Sequence, residues 1–241
     1  TAIYSTFLQR GYDQLIHDCA IDERRLVCVF AVDRAGIVGA DGATHNGVFD
    51  VAYLRSIPHM NILAPSSFAE LRAMLSKAVY HETGPTAIRY PRGGEGAFQE
   101  NTAAEDWVCL REGTGTAIVS YGIQINQAIQ AAEICAGRGI PAAVYKLNRL
   151  SGPVSEGFLS ALGGFSQILV CEDVAPAGAM GEAISCALAE RGVHARILLR
   201  STGSRFLPHG SVPDLLKMCG LDADSLADAV CGAVPEEVTD G

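Results

Sequence analysis

No two of the eight cysteines, at 19, 28, 109, 135, 171, 186, 219 and 231, stand as a Cys-x-x-Cys pair. Zinc and dithiol redox motifs need such close pairs, and most of these thiols sit in apolar runs, as Cys28 and Cys171 do. They read as buried free thiols of a reducing, cytoplasmic setting rather than as bridges. No apolar run is long enough to span a bilayer and no signal peptide precedes the first strand, so no membrane partner is expected. Basic residues are outnumbered: 18 Lys and Arg against 27 Asp and Glu leave a net charge of −9. That argues against nucleic acid as a partner while leaving room for a local basic pocket. The Gly-x-Ser-x-Gly, Walker A and His-Glu-x-x-His motifs are missing, and no metal site is expected from these residues. An initiating Met is missing too, and Thr1-Ala-Ile-Tyr-Ser-Thr6 reads like the inside of a strand. The sequence is therefore expected to be a piece of a longer polypeptide.

What is present has the composition of a globular protein, 49% hydrophobic and 19% charged, long enough for one large domain or two ordinary ones. Strand-like runs alternate with helical spacing. Residues 1–4 predict a strand, followed by a helix to about 21 with Ser5 or Thr6 as its cap. A charged turn at 22–25 leads to a strand over 26–32. A short helix follows over 51–57, a strand over 60–64, a helix from 68 and a strand over 86–90. In the helix from 68, Phe68, Leu71, Leu75, Ala78 and Val79 are expected to form the apolar face. A Gly-rich, polar stretch then suggests a linker at 99–113. The second series has strands at 116–120, 141–146, 167–171 and 194–199. Its helices run from 125, over 155–162, 178–191, 211–218 and 222–231, before a polar tail at 235–241. This rhythm predicts an α/β fold: two open, mostly parallel-sheet domains with helices on both faces, spanning 1–98 and 114–241.

The segment Asp33-Arg-Ala-Gly-Ile-Val-Gly-Ala-Asp-Gly-Ala-Thr-His-Asn-Gly47 leaves the end of a predicted central strand. Open α/β sheets build their sites at that edge, although a plain surface loop is also compatible with these residues. Tyr4 ends the first strand, Arg34 follows the second and Arg92 follows the last of the first domain. Two arginines on one edge make a candidate anion clamp, against the alternative of solvated surface charges. His45, between Thr44 and Asn46, is a candidate proton donor or acceptor, with Asp41 near enough in sequence to orient it. The Glu172–Gly181 stretch lacks the Gly-x-Gly-x-x-Gly spacing and reads as a strand-to-helix connection or interface loop.

Ala2-Ile-Tyr-Ser-Thr-Phe-Leu-Gln-Arg10, the Asp33–Gly42 run with Thr44-His45, and Arg89-Tyr-Pro-Arg-Gly93 together resemble the 1-deoxy-D-xylulose-5-phosphate synthases, thiamine-diphosphate-dependent relatives of transketolase. Support after 113 is thinner: Glu172-Asp173, Gly178 to Gly181, and Phe206-Leu-Pro-His-Gly210. The resemblance implies a transketolase pyrimidine-binding domain followed by a transketolase C-terminal domain. It also implies a homodimeric transferase that condenses pyruvate with D-glyceraldehyde 3-phosphate, releasing carbon dioxide, for isoprenoid and thiamine synthesis. Carried over to this sequence, Phe7 would pack on the aminopyrimidine. Arg34 and Arg92 would bind the acceptor's phosphate, while His45, Asp41, Tyr4 and Arg10 would line the pocket. In that family the glutamate that activates the cofactor and the site for Mg2+ and diphosphate precede the position of residue 1, so this chain alone is expected to be inactive. Ala179 departs from the family pattern, which has glycine there, as does the long charged turn at 22–25. Two other readings remain open: a β-subunit-like part of a 2-oxo acid dehydrogenase, and a non-catalytic dimerisation module of the same fold.

Overall fold

The computed structural model describes residues 1–22 and 26–232. Of the charged turn only Asp22 is among them, and the polar tail at 235–241 lies outside the described residues. Strand β1 (Ala2–Tyr4) runs straight into a helical segment. That segment is built of α1 (Ser5–Leu8), a 3-10 turn (Gln9–Gly11), α2 (Tyr12–Gln14) and a π-helical stretch (Leu15–Ala20). The first domain continues with β2 (Val29–Asp33), α3 (Asp50–Arg55), β3 (Asn61–Leu63), α4 (Phe68–Tyr80) and β4 (Thr86–Arg89). Its four strands are all parallel, in the order β1-β2-β4-β3. Leu8, Leu15, Val51 and Leu54 pack with Val32 on one face of this sheet, while Met74 and Ala78 cover Leu63 and Ile88 on the other.

The second domain opens with β5 (Trp107–Arg111), then β6 (Thr116–Tyr121), α5 (Ile125–Gly137), β7 (Ala143–Leu147), α6 (Glu156–Leu162) and β8 (Gln167–Cys171). It closes with α7 (Met180–Glu190), β9 (Arg196–Arg200), α8 (Val212–Cys219) and α9 (Ala223–Cys231). The order is β5-β7-β6-β8-β9, and β5 alone runs antiparallel, at the edge. Ser67, Ser155, Ser211 and Asp222 each accept a backbone N–H at the start of α4, α6, α8 and α9, which fixes where those helices begin.

Three expectations need correction. The second strand starts at Val29, where pairing with Thr86 begins, and Leu26 and Val27 before it are exposed. The cysteines are free, but only Cys135, Cys171 and Cys219 are buried, and Cys186 is exposed. Helix α4 is also turned relative to its apolar pattern: Phe68, Leu75 and Val79 are 51%, 44% and 45% exposed, and the buried row is Glu70, Met74 and Ala78. The cause is polar. Glu70 accepts from Lys146 Nζ at 2.8 Å, from Thr102 Oγ1 at 2.6 Å and from the Ser66 amide at 2.8 Å. With the Thr102 amide at 3.1 Å, four donors converge on one carboxylate and draw it inward against the sequence pattern.

Lys146 lies on β7, so this buried pair also joins the domains. Backbone bonds continue the seam: the Ala64 amide donates to the Asn148 carbonyl at 3.0 Å, and the Leu150 amide donates to the Ile62 carbonyl at 2.9 Å.

Candidate functional site

In the parallel register of β1 and β2, Tyr4 lies opposite Asp33, so Arg34 leaves the sheet edge beside the Tyr4 ring. The guanidinium carbon stands 4.0 Å from the ring centre, a cation–π contact worth about 0.5–1 kcal/mol when exposed. Phe7, in the first turn after β1, stacks on Tyr4 with centroids 5.5 Å apart and planes inclined by 9°. His45 meets Phe7 edge-on at 5.4 Å. Arg34, Tyr4, Phe7 and His45 thus form one continuous stack, although they are scattered over some forty positions of sequence. Phe7 remains 44% exposed.

Arg34 adopts the left-handed backbone conformation, φ 57°, shared among the described non-glycine residues only by His59. Such a conformation costs about 1–3 kcal/mol and has to be held by its surroundings. Asp33 does this: its Oδ1 accepts the Arg34 amide at 2.7 Å and its Oδ2 pairs with Nη1. The Nε–H of Arg34 and the hydroxyl of Ser5 are buried with no partner. Orphaned polar groups of this kind are costly in a finished core.

The loop from 34 to 47 is closed by reciprocal bonds between Gly36 and Gly47, both 2.9 Å. A side chain at Gly47 would strike the Arg34 carbonyl at 2.2 Å and the Ser5 Cβ at 2.6 Å, so only glycine brings the returning strand this close. Asn46 braces the interior by accepting the Val38 amide at 2.9 Å, and Thr6 Oγ1 donates to the Thr44 carbonyl at 3.0 Å. The Thr44 hydroxyl holds His45 Nδ1 at 2.9 Å, leaving Nε2 as the outward nitrogen.

The remaining candidates are arranged less closely. Arg92 pairs with Asp41 at 3.5 Å, both partly exposed. Each member of the expected clamp therefore already has a carboxylate, Asp33 for Arg34 and Asp41 for Arg92. Arg10 is exposed on the helical segment. Sequence reasoning missed Ser5, Thr6, Asp33, Thr44 and Asn46 as site-building residues. Their only signal is adjacency to Tyr4, Arg34 and His45, which spacing alone cannot turn into contact.

A buried charge network underlies the loop. Arg89 donates from Nε to Asp50 at 3.1 Å and reaches Asp173 of the second domain at 3.5 Å, with its guanidinium over the Tyr121 ring. Burial lowers the Arg89 pKa, but Asp50 and then Asp173 outweigh it and raise it above its ordinary value. Asp173 is pushed up by burial despite Arg89; the shorter contact marks Asp50 as the principal partner. Glu172 is likewise raised by burial, against the opposing bonds from the Tyr121 hydroxyl at 2.8 Å and from the amides of Gly181 and Met180 at 2.7 and 2.9 Å. The acidic pair is thus an interface device. Glu172 caps α7, and Asp173 presses on Gly36, where an added Cβ would lie 1.8 Å from its Oδ2. On the outer side Gly39 abuts the Gly210 carbonyl, and Phe49 meets Phe206 at 6.3 Å. Among the described residues no group of three His, Cys, Asp or Glu could hold a metal ion. No helix among them is long and apolar enough to cross a membrane.

Comparison with known proteins agrees with this architecture. Residues 1–94 match the transketolase pyrimidine binding domain and residues 105–226 the transketolase C-terminal domain. The chain is 44% identical over 234 residues to the 1-deoxy-D-xylulose-5-phosphate synthase of Thermus thermophilus, covering 95% of itself and 36% of that protein. It is 40% identical over 235 residues to the Chlorobium phaeovibrioides protein of the same name, again covering 95% of itself and 36% of the relative. It thus spans little more than a third of the length of these relatives. A solved structure described as a split-gene transketolase, inactive beta4 tetramer, superposes with a TM-score of 0.81 at 25% identity, over 96% of this chain and 74% of that one. A transketolase of Pichia stipitis shares the fold at 17% identity and a TM-score of 0.79, over 96% of this chain and 33% of that one.

Proposed function

The chain belongs to the transketolase family, through its pyrimidine-binding and C-terminal domains, and from that premise we propose that it is the acceptor-binding portion of a 1-deoxy-D-xylulose-5-phosphate synthase. The substrates in this reading are pyruvate and D-glyceraldehyde 3-phosphate, and the products are 1-deoxy-D-xylulose 5-phosphate and carbon dioxide. The stack of Arg34, Tyr4, Phe7 and His45 at the sheet edge carries the reading, together with 44% identity to a synthase of that name.

Thiamine diphosphate, when bound, supplies the electron sink for loss of carbon dioxide. Its ring fits Phe7, whose half-exposed face is open to an aromatic partner. The orphaned Nε–H of Arg34 and the Ser5 hydroxyl fit a polar ligand arriving above them. Arg34, prepositioned by Asp33, and Arg92 supply guanidinium groups for a phosphate dianion. His45, fixed through Nδ1 by Thr44, holds or moves a proton at Nε2 beside a substrate oxygen. Asp41 steers Arg92, Tyr4 sets the plane on which Arg34 lies, and Arg10 is available at the pocket's margin. Mg2+ and the diphosphate are assigned to residues outside this chain. The eight free thiols favour a cytoplasmic protein. The uncovered apolar side of α4, with Leu75 and Val79, favours a homodimer.

Activity is proposed to require the complementary N-terminal portion. The split-gene relative, described as inactive in its β4 form, supports that dependence. The test is carbon dioxide release from pyruvate, with thiamine diphosphate, Mg2+ and glyceraldehyde 3-phosphate, by the chain alone and after adding an N-terminal synthase polypeptide. No turnover alone, and after addition a carbon dioxide release that glyceraldehyde 3-phosphate increases, are expected. Turnover by the isolated chain would contradict the dependence. Transfer to a lipoyl acceptor in place of glyceraldehyde 3-phosphate would support the dehydrogenase reading.

A further inference from the structure

Helices α5 and α9 pack side by side, and at their contact two thiols far apart in sequence meet. Cys231, the last residue of α9, has its sulfur 4.0 Å from that of Cys135 on α5, 96 positions earlier. Cys135 is buried and Cys231 half-buried. Arg138, one turn after Cys135, is anchored to Asp228 at 2.6 Å. Its pKa is raised, chiefly by the bond to Asp228. Cys231 is thus the accessible member of the pair, with a second sulfur within reach to resolve it once oxidised. Burial and the neighbouring sulfur push Cys135 up to about 12, which suits it to act second, within the protein, rather than to meet an oxidant first. Nothing in the candidate site uses either residue.

We propose that Cys231 and Cys135 form a peroxide-oxidisable thiol pair, a modification site that ties the end of α9 to α5. Cys231 gives up its thiol proton and its sulfur attacks one oxygen of hydrogen peroxide; the O–O bond breaks, and the departing hydroxide takes up that proton and leaves as water, giving a sulfenic acid. The Cys135 sulfur then attacks the Cys231 sulfur. The S–O bond breaks, the thiol proton leaves with the departing hydroxide as a second water, and a disulfide remains. Two thiols are oxidised and one peroxide is reduced to two waters. A disulfide needs sulfurs about 2.05 Å apart, so about 2 Å of closure is required from the 4.0 Å contact.

The test uses the full chain, fully reduced, exposed to one equivalent of hydrogen peroxide and then alkylated with iodoacetamide. Mass spectrometry of the digest is expected to find a Cys135–Cys231 linked peptide and loss of alkylation at both positions, while exposed Cys186 still alkylates fully. In Cys135→Ser the sulfenic acid on Cys231 is expected to persist and to be trapped by dimedone. In Cys231→Ser, alkylation of Cys135 is expected to be unaffected by peroxide. Both variants change a thiol to a hydroxyl at the edge of a packed contact, and circular dichroism checks that they fold. Oxidation of Cys186 in preference to the pair, linkage of Cys231 to another cysteine, or no dimedone adduct in folded Cys135→Ser would overturn the proposal.

Discussion

At the scale of single residues, burial moves two carboxyls away from the titration their type suggests. Glu172 and Asp173 sit beside Arg89 and Tyr121, yet burial raises both above their ordinary range. A carboxyl whose folded-state pKa is raised stabilises the fold fully below its unfolded value, and that stability is lost as pH rises through the folded pKa. Unfolding free energy is therefore expected to fall as pH climbs from the ordinary carboxylate range upward. Glu172→Gln should flatten its share of that slope, which urea titrations at several pH values would read. A slope unchanged in the variant would mean that Glu172 is ionised throughout. Residue identity alone did not reveal this: an acidic pair between strand and helix looks solvated until the amides of Met180 and Gly181 are seen bonded to it. Tyr4, Arg34 and His45 were easier to find, because glycines and polar residues gather after a strand. The left-handed turn at Arg34 has no sequence mark at all.

Among the elements, strand and helix order was legible because apolar periodicity tracks it, and β8 falls where its apolar run does. Orientation was less legible. The pattern of α4 pointed Phe68, Leu75 and Val79 inward, but the pair of Glu70 and Lys146, both fully buried, turned the helix otherwise. Periodicity counts charged residues as solvent-facing, so a buried ion pair between distant elements defeats it. Burial lowers the Lys146 pKa while Glu70 opposes the shift. Removing one partner of such a pair leaves an uncompensated buried charge and costs about 3–5 kcal/mol. Lys146→Met is therefore expected to lower stability by about that amount. Adding Glu70→Leu removes the uncompensated charge but leaves the Ser66 and Thr102 amides without their acceptor, so it should recover only part of the loss, as chemical denaturation of the single and double variants would report.

For the whole molecule, the two sheets behave as parts of one body around the site. The first core cluster draws Val51 and Ile62 from one domain and Tyr121 and Met180 from the other. Backbone bonds at Ala64 and Leu150 cross the seam. Arg89 with Asp173 and Lys146 with Glu70 lock it. The stretch expected as a linker, 99–113, carries strand β5. The short apolar run Trp107-Val-Cys-Leu110 marks it in the sequence, but a single edge strand is too short to declare its partner, β7. The chain is expected to unfold in one calorimetric transition, with van't Hoff and calorimetric enthalpies equal. Two resolved transitions would show the domains to be independent, and the second-domain wall of the site at Gly39 and Gly210 to be loosely held.

The central claim is that the cationic edge built on Tyr4 receives a phosphorylated acceptor. The most direct measurement is the KM for glyceraldehyde 3-phosphate of Arg34→Met in the protein reconstituted with its N-terminal portion, beside carbon dioxide release from pyruvate without acceptor. Loss of charged hydrogen bonds worth about 1.5–3 kcal/mol predicts a KM raised about 10–150-fold, with acceptor-free release unchanged. A KM equal to that of the unaltered protein, with the variant folded, would contradict the account.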